Sequence, residues 1–137
     1  MICFFDTHVL VYAVDTSDLA RQECAIARFE QACANDTVVI STQVLQEFFN
    51  ATTRKMRPPL SPREAMAQME RLCAFTVLDT TAKSVLMATA LMQQHRLQWW
   101  DALILEAALR ANADVLVSRD GQHGQRFGKL TVENPFL

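Results

Sequence analysis

Four acidic residues, Asp6, Glu47, Asp101 and Asp120, lie where a chain of alternating strands and helices would bring their carboxylates together. Asp6 directly follows the apolar run Ile2 to Phe5, and Asp120 follows Val115 to Val117 after only Ser118 and Arg119. Ligand crevices in open α/β sheets form at the carboxyl ends of strands, so both acids are expected to face such a crevice. Each taken alone also fits a turn-capping or helix-capping aspartate.

Asp101 heads a helical pattern in which Ile104, Leu105, Ala108 and Leu109 share its face, with Glu106 and Arg110 on the opposite one. The expectation is a carboxylate leading a buried stripe, whose desolvation a cation, a metal or strong donors must offset. A plain helix N-terminal acid is the alternative. Glu47 sits at the margin of its helix's apolar face, between the Val44, Phe48, Ala51 side and the Gln43, Gln46, Asn50 side. By itself it reads as a solvated glutamate.

Four acids without a His/Cys ligand set suit a hard cation, because Mg²⁺ and Mn²⁺ prefer carboxylate oxygens and retained waters. Zinc is disfavoured. Gathered carboxylates repel one another, so a divalent ion would hold them together, polarise a phosphate and supply a hydroxide nucleophile. Cys3, Cys24, Cys33 and Cys73 form no Cys-x-x-Cys pair, and three lie in apolar patterns. They are expected to be reduced core thiols.

The elements that must position the acids follow from periodicity. Short runs rich in β-formers occur at Ile2 to Phe5, Thr37 to Ile40, Thr76 to Leu78, Val115 to Val117 and, more weakly, Leu130 to Val132. Asp18 to Ala34 carries Leu19, Ala25, Ile26, Phe29 and Cys33 on a 3.6-residue period, and Val44, Leu45, Phe48 and Phe49 repeat it after the cap candidate Ser41. Ser61-Pro62-Arg63-Glu64 reads as a capping box with proline at the first helical position, ahead of Ala65, Met66, Met69, Leu72 and Cys73, the methionines as core filler. Thr81 to His95 and Asp101 to Ala111 complete the helices. Strands separated by helices, each near-continuously apolar, predict an α/β fold with a mostly parallel sheet covered on both faces.

These residues resemble a known family. Phe5-Asp6-Thr7 after the first strand, Glu47 in Ser41-x5-Glu47, Trp100-Asp101-Ala102-Leu103-Ile104 and Ser118-Arg119-Asp120 look like the acidic motifs of PIN domains, specifically VapC-like toxins of type II toxin-antitoxin pairs. The likeness runs from Met1 to Asn134-Pro135-Phe136. It implies a three-layer α/β/α domain over 1–137 that hydrolyses RNA phosphodiesters with Mg²⁺ or Mn²⁺. By the same likeness Asp6 and Asp101 are direct metal ligands, while Glu47 and Asp120 complete the shell or act on the attacking water. Thr7 and Ser118 match hydroxyl positions that bond a carboxylate or phosphate. His8 departs from the family's usual Asn, so the surroundings of Asp6 are expected to differ there.

The resemblance also implies a homodimer and a cognate antitoxin. Thr81 to His95 is apolar nearly all round, which leaves one face for another chain. Net charge is −2 and the pI about 5.9, so RNA binding must rest on local charge. Two groups supply it: Arg54, Lys55, Arg57 and Arg63, and Arg119, His123, Arg126 and Lys129. The start of the chain lacks a basic leader and a long apolar run, which predicts a cytoplasmic protein without a membrane span. Competing readings keep the fold: a nuclease of housekeeping RNA or of DNA, or an inactive domain that binds RNA or protein. A flavodoxin-like phosphoacceptor would want a lysine where Ser118 stands.

Overall fold

A computed structural model describes residues 1–137. Six strands form one sheet in the order β3-β2-β1-β4-β6-β5: β1 (Ile2–Phe5), β2 (Thr37–Ser41), β3 (Thr76–Leu78), β4 (Val115–Val117), β5 (Arg126–Phe127) and β6 (Leu130–Glu133). All neighbours run parallel except β5 and β6. The helices are α1 (Thr7–Val14), α2 (Leu19–Asn35), α3 (Thr42–Asn50), α4 (Pro62–Leu72), α5 (Ala82–His95) and α6 (Trp99–Arg110). They pack as two groups, α1 to α4 and α5 with α6, and α2 and α6 both touch β2. The result is the expected α/β/α arrangement around a mostly parallel sheet.

Central β1 is covered on both faces, and Cys3, Phe4 and Phe5 are fully buried, which is why this strand reads as an unbroken apolar run. The chain winds outward from β1 through β2 to β3, then returns to β4 on the other side of β1. That reversal places a crevice outside the carboxyl ends of β1 and β4, which stay paired with Phe5 in register with Val117. Asp6 N–H donates to the Val117 carbonyl at 2.9 Å, which ties the two strand ends together.

Local signals in the sequence act as expected. Ser41 caps α3, and Ser61 and Glu64 make the reciprocal capping box of α4 with Pro62 in its first turn. The antiparallel β5 and the π-helical turn Ala51–Lys55 have no counterpart among the expected elements. In that turn the Thr52 and Thr53 hydroxyls donate to the Phe48 and Phe49 carbonyls at 2.8 and 2.6 Å, a competition with the backbone that loosens the helix.

Several residues expected in the core are not there. Leu19 and Met66 are exposed, as are Cys33 and Cys73, and only Cys3 of the four free thiols is buried. The cause lies in helix contact width: the fully buried residues of α2 are the small Ala25 and Ala32, so the helix seats a narrow stripe and its larger apolar neighbours reach solvent. No helix is long and apolar enough to cross a membrane.

Candidate active site

Asp6 leaves β1 at the winding reversal and caps α1. Its Oδ1 accepts from Thr7 N–H at 2.7 Å, and its Oδ2 accepts from the Ser118 hydroxyl at 2.8 Å. Ser118 reaches it from 112 residues away because it directly follows β4, the strand beside β1. Ser118 Oγ also accepts from Gly121 N–H at 3.2 Å, which orients the hydroxyl toward Asp6. Thr7 Oγ1 donates to Glu47 Oε1 at 2.8 Å, so α3, which starts where β2 ends, delivers a second carboxylate beside the first. This hydrogen bond holds Glu47 without contributing charge. Thr7→Val keeps the shape and removes it, and any activity that depends on Glu47 should fall by about 10–100-fold, as for other groups that orient metal-site ligands. An unchanged rate would show that Glu47 needs no holding.

Asp101 stands in the first turn of α6 and is exposed, which corrects the expected buried stripe. α6 is covered on more than one side: Glu106, expected in solvent, is buried and chelated by Arg110, whose Nε lies 3.0 Å from Oε2, whereas Leu109 is exposed. Packing against both α5 and the sheet buries more of α6 than one stripe, and i,i+4 pairing makes Glu106 tolerable inside. Asp101, free of that packing, lines an open crevice.

Asp120 follows β4 and is held from two sides. Arg119 Nε bonds its Oδ1 at 2.9 Å, and His8 Nδ1 lies 3.2 Å from its Oδ2. Burial and the nearby Arg119 push the His8 pKa below the ordinary value, against the pull of Asp120 and Glu47. His8 thus stands beside Asp120 at the crevice. The Tyr12 hydroxyl accepts from Arg119 Nη1 at 3.1 Å and from Arg21 Nη1 at 2.8 Å. Sequence reasoning passed over Tyr12, although it lies four residues after His8 and so on the same face of α1.

All four acids line a single crevice, together with His8, Arg96, Trp100 and Arg119. Arg96 was not among the expected site residues, and the exposed Trp100 entered only as the neighbour of Asp101 in its motif. Arg96 ends α5 in the left-handed conformation, φ 54°, which local sequence gives no reason to expect of an arginine. The acids interact electrostatically. Burial pushes the Asp6 pKa up to about 6 against the pull of Ser118 and Thr7, with Glu47 and Asp101 adding to the rise. Partial desolvation raises that of Asp101, helped by Asp120 and Glu47.

The second basic group divides. Arg119 is in the crevice, but Lys129 pairs with Asp114 at 3.2 Å, before β4 and hence at the opposite edge of the sheet. Arg57 turns its guanidinium onto the Arg54 and Met56 carbonyls. His95 stacks edge-on against Phe127, and His123 Nδ1 accepts from Asn134 N–H.

The donor set fits a hard divalent cation. It offers carboxylate oxygens and two hydroxyls, no thiol, and a single imidazole beside Asp120; the mutual repulsion of the acids is what a cation would relieve. No three of these side chains stand close enough together to chelate an ion directly.

A mostly parallel α/β/α sheet with an acidic crevice at its winding reversal defines a class of small crevice-bearing α/β domains. A family model for the PIN domain matches residues 3–127, and the chain belongs to that family. Its fold is shared with VapBC2 of Rickettsia felis bound to a promoter DNA fragment, at 22% identity and TM-score 0.68 over 98% of both chains. It is also shared with a toxin-antitoxin complex from Klebsiella pneumoniae, at 19% identity and TM-score 0.71 over 97% of both. Mycobacterium tuberculosis VapC20, a Sarcin-Ricin loop cleaving toxin, is similar at 23% identity and TM-score 0.68, over 88% of this chain and 91% of that one. No curated protein matches.

Proposed function

We propose that the chain, acting as one nuclease domain over 1–137, is a Mg²⁺- or Mn²⁺-dependent endoribonuclease and the toxin of a toxin-antitoxin pair. The single observation that carries this reading is the convergence of Asp6, Glu47, Asp101 and Asp120 on one crevice. Asp6 and Asp101 would hold the ion, with Glu47 and Asp120 completing its surroundings. When bound, the ion supplies Lewis-acid polarisation of the phosphate and a more acidic water.

The chain's own residues do the rest. Glu47, whose Oε1 is occupied by Thr7, leaves Oε2 to accept a proton from the attacking water. As the water oxygen bonds to phosphorus, the ester bond to the leaving oxygen breaks and that oxygen takes up a proton from solvent. Arg96 and Arg119 are the cations at hand for the flanking phosphates. Incubation of the protein with labelled RNA and with DNA of the same sequence, with Mg²⁺ and with chelator, tests the reading. RNA cut only when metal is present is the expected result; DNA cut preferentially would favour the second reading, a nuclease of another substrate.

RNA held by an acidic protein must be held locally. Arg96→Gln should weaken single-stranded RNA binding and lower the magnitude of its salt slope by about 0.7. Lys129→Gln, at the far edge of the sheet, should change neither. Equal slopes for both variants across a salt series would remove Arg96 from the RNA path.

The VapBC2 and Klebsiella complexes support an antitoxin partner for this chain. Exposed Leu86 and Met87 on α5 support a face for a second copy, giving a homodimer. A cytoplasmic location follows from the RNA substrate.

A further inference from the structure

Beside the carboxylate crevice a second hollow opens, with a volume of about 220 Å³, and it shares Asp6, Leu97, Asp101, Ile104 and Asp120 with the crevice. Its remaining walls differ in kind. Leu105, Leu116, Phe127 and Val132 are apolar, and Gln122 and Gln125 bring the amides. Gly121 keeps one wall thin, since a Cβ there would stand 2.6 Å from Val132 Cγ1. The Phe127 ring is braced edge-on by His95, with centroids 4.8 Å apart.

The chemistry of these walls selects an occupant. Apart from the acids at its mouth no lining residue is charged, and none is basic, so the hollow does not suit a phosphate. Apolar walls with a braced aromatic suit the faces of a flat heterocycle, and carboxamides, each both donor and acceptor, suit its edge. Its volume falls below the roughly 300–1,000 Å³ of pockets that enclose whole small molecules, so a ring system fits better than a nucleotide. A base one sugar away from a phosphate held at the carboxylates would fall here.

We propose that this hollow is a base-selecting subsite that takes the nucleobase next to the scissile phosphate, with Phe127 against its face and Gln122 and Gln125 on its edge. It rests on the reading of the crevice as an RNA-cleaving site, and its test separates the two. Adenosine, guanosine, cytidine and uridine, which carry no phosphate and need no metal, are titrated into labelled protein while the signals of Gln122, Gln125, Leu116 and Phe127 are followed by NMR.

At least one nucleoside should move these signals. Gln125→Leu should change the ratio of nucleoside affinities by about tenfold, the scale of a lost edge contact, and Phe127→Ala should weaken all four. In cleavage of random-sequence RNA, a base bias at one position abutting the cut should change in Gln125→Leu at that position alone. Nucleosides that leave the four signals still, or an unaltered affinity order in both variants, overturn the proposal, as does cleavage without base bias beside the cut. Nucleosides that bind in the hollow of a protein that cuts no RNA would sink the catalytic reading and uphold the subsite.

Discussion

Asp6→Asn is expected to melt higher than the wild type at pH 7 without metal, and to lose RNA cleavage. The folded protein raises the Asp6 pKa from 3.8 to about 6, so the folded state binds its proton more tightly than the unfolded chain. Stability from that neutral carboxyl is complete below pH 3.8 and is lost as pH rises through the window to about 6. Above it the buried charge costs about 3 kcal/mol, because each tenfold gain in proton affinity is worth about 1.4 kcal/mol. Asparagine is uncharged and of the same shape, so at pH 7 it removes that cost and should raise the melting temperature by roughly 5–10 °C. Below pH 4 the two proteins should melt alike.

Added Mg²⁺ should reverse the order, since binding to the native state alone stabilises by mass action and the variant has lost a ligand. Thermal melts from pH 4 to 8, with and without Mg²⁺, give both comparisons. Parallel melting curves with equal metal response would remove Asp6 from a metal site.

Asp101→Asn is expected to lower cleavage by at least about a hundredfold, above the losses typical of residues that only orient a ligand. Because Asp101 is exposed, the change in stability should stay within about 0.5 kcal/mol. RNA affinity should hold or improve, since one negative charge leaves the phosphate path. A residue that served only the helix N-terminus would behave otherwise: it would cost about 0.3–1 kcal/mol of stability and no activity. Circular dichroism, RNA affinity and cleavage rate on one preparation decide between these patterns.

What the sequence by itself determined is local or periodic. Strand runs such as Ile2 to Phe5, the caps Ser41 and Ser61, and the presence of the five expected helices depend on neighbours within a turn or two, and these appear as expected, whereas which face of α2 or α6 is buried does not. Acids placed just after strands were legible for the same reason, because parallel strands put their carboxyl ends on one edge. Tertiary structure alone decided the contacts between those acids. Ser118 meets Asp6 only because β4 pairs with β1 in the register Phe5 to Val117, and Thr7 meets Glu47 only because β2 lies on the other side. Likewise, whether Asp101 or Glu106 is the buried acid of α6 depends on what covers each side of the helix, and periodicity describes a single face. Strand pairing and two-sided packing are relations between distant segments, so no window of sequence contains them.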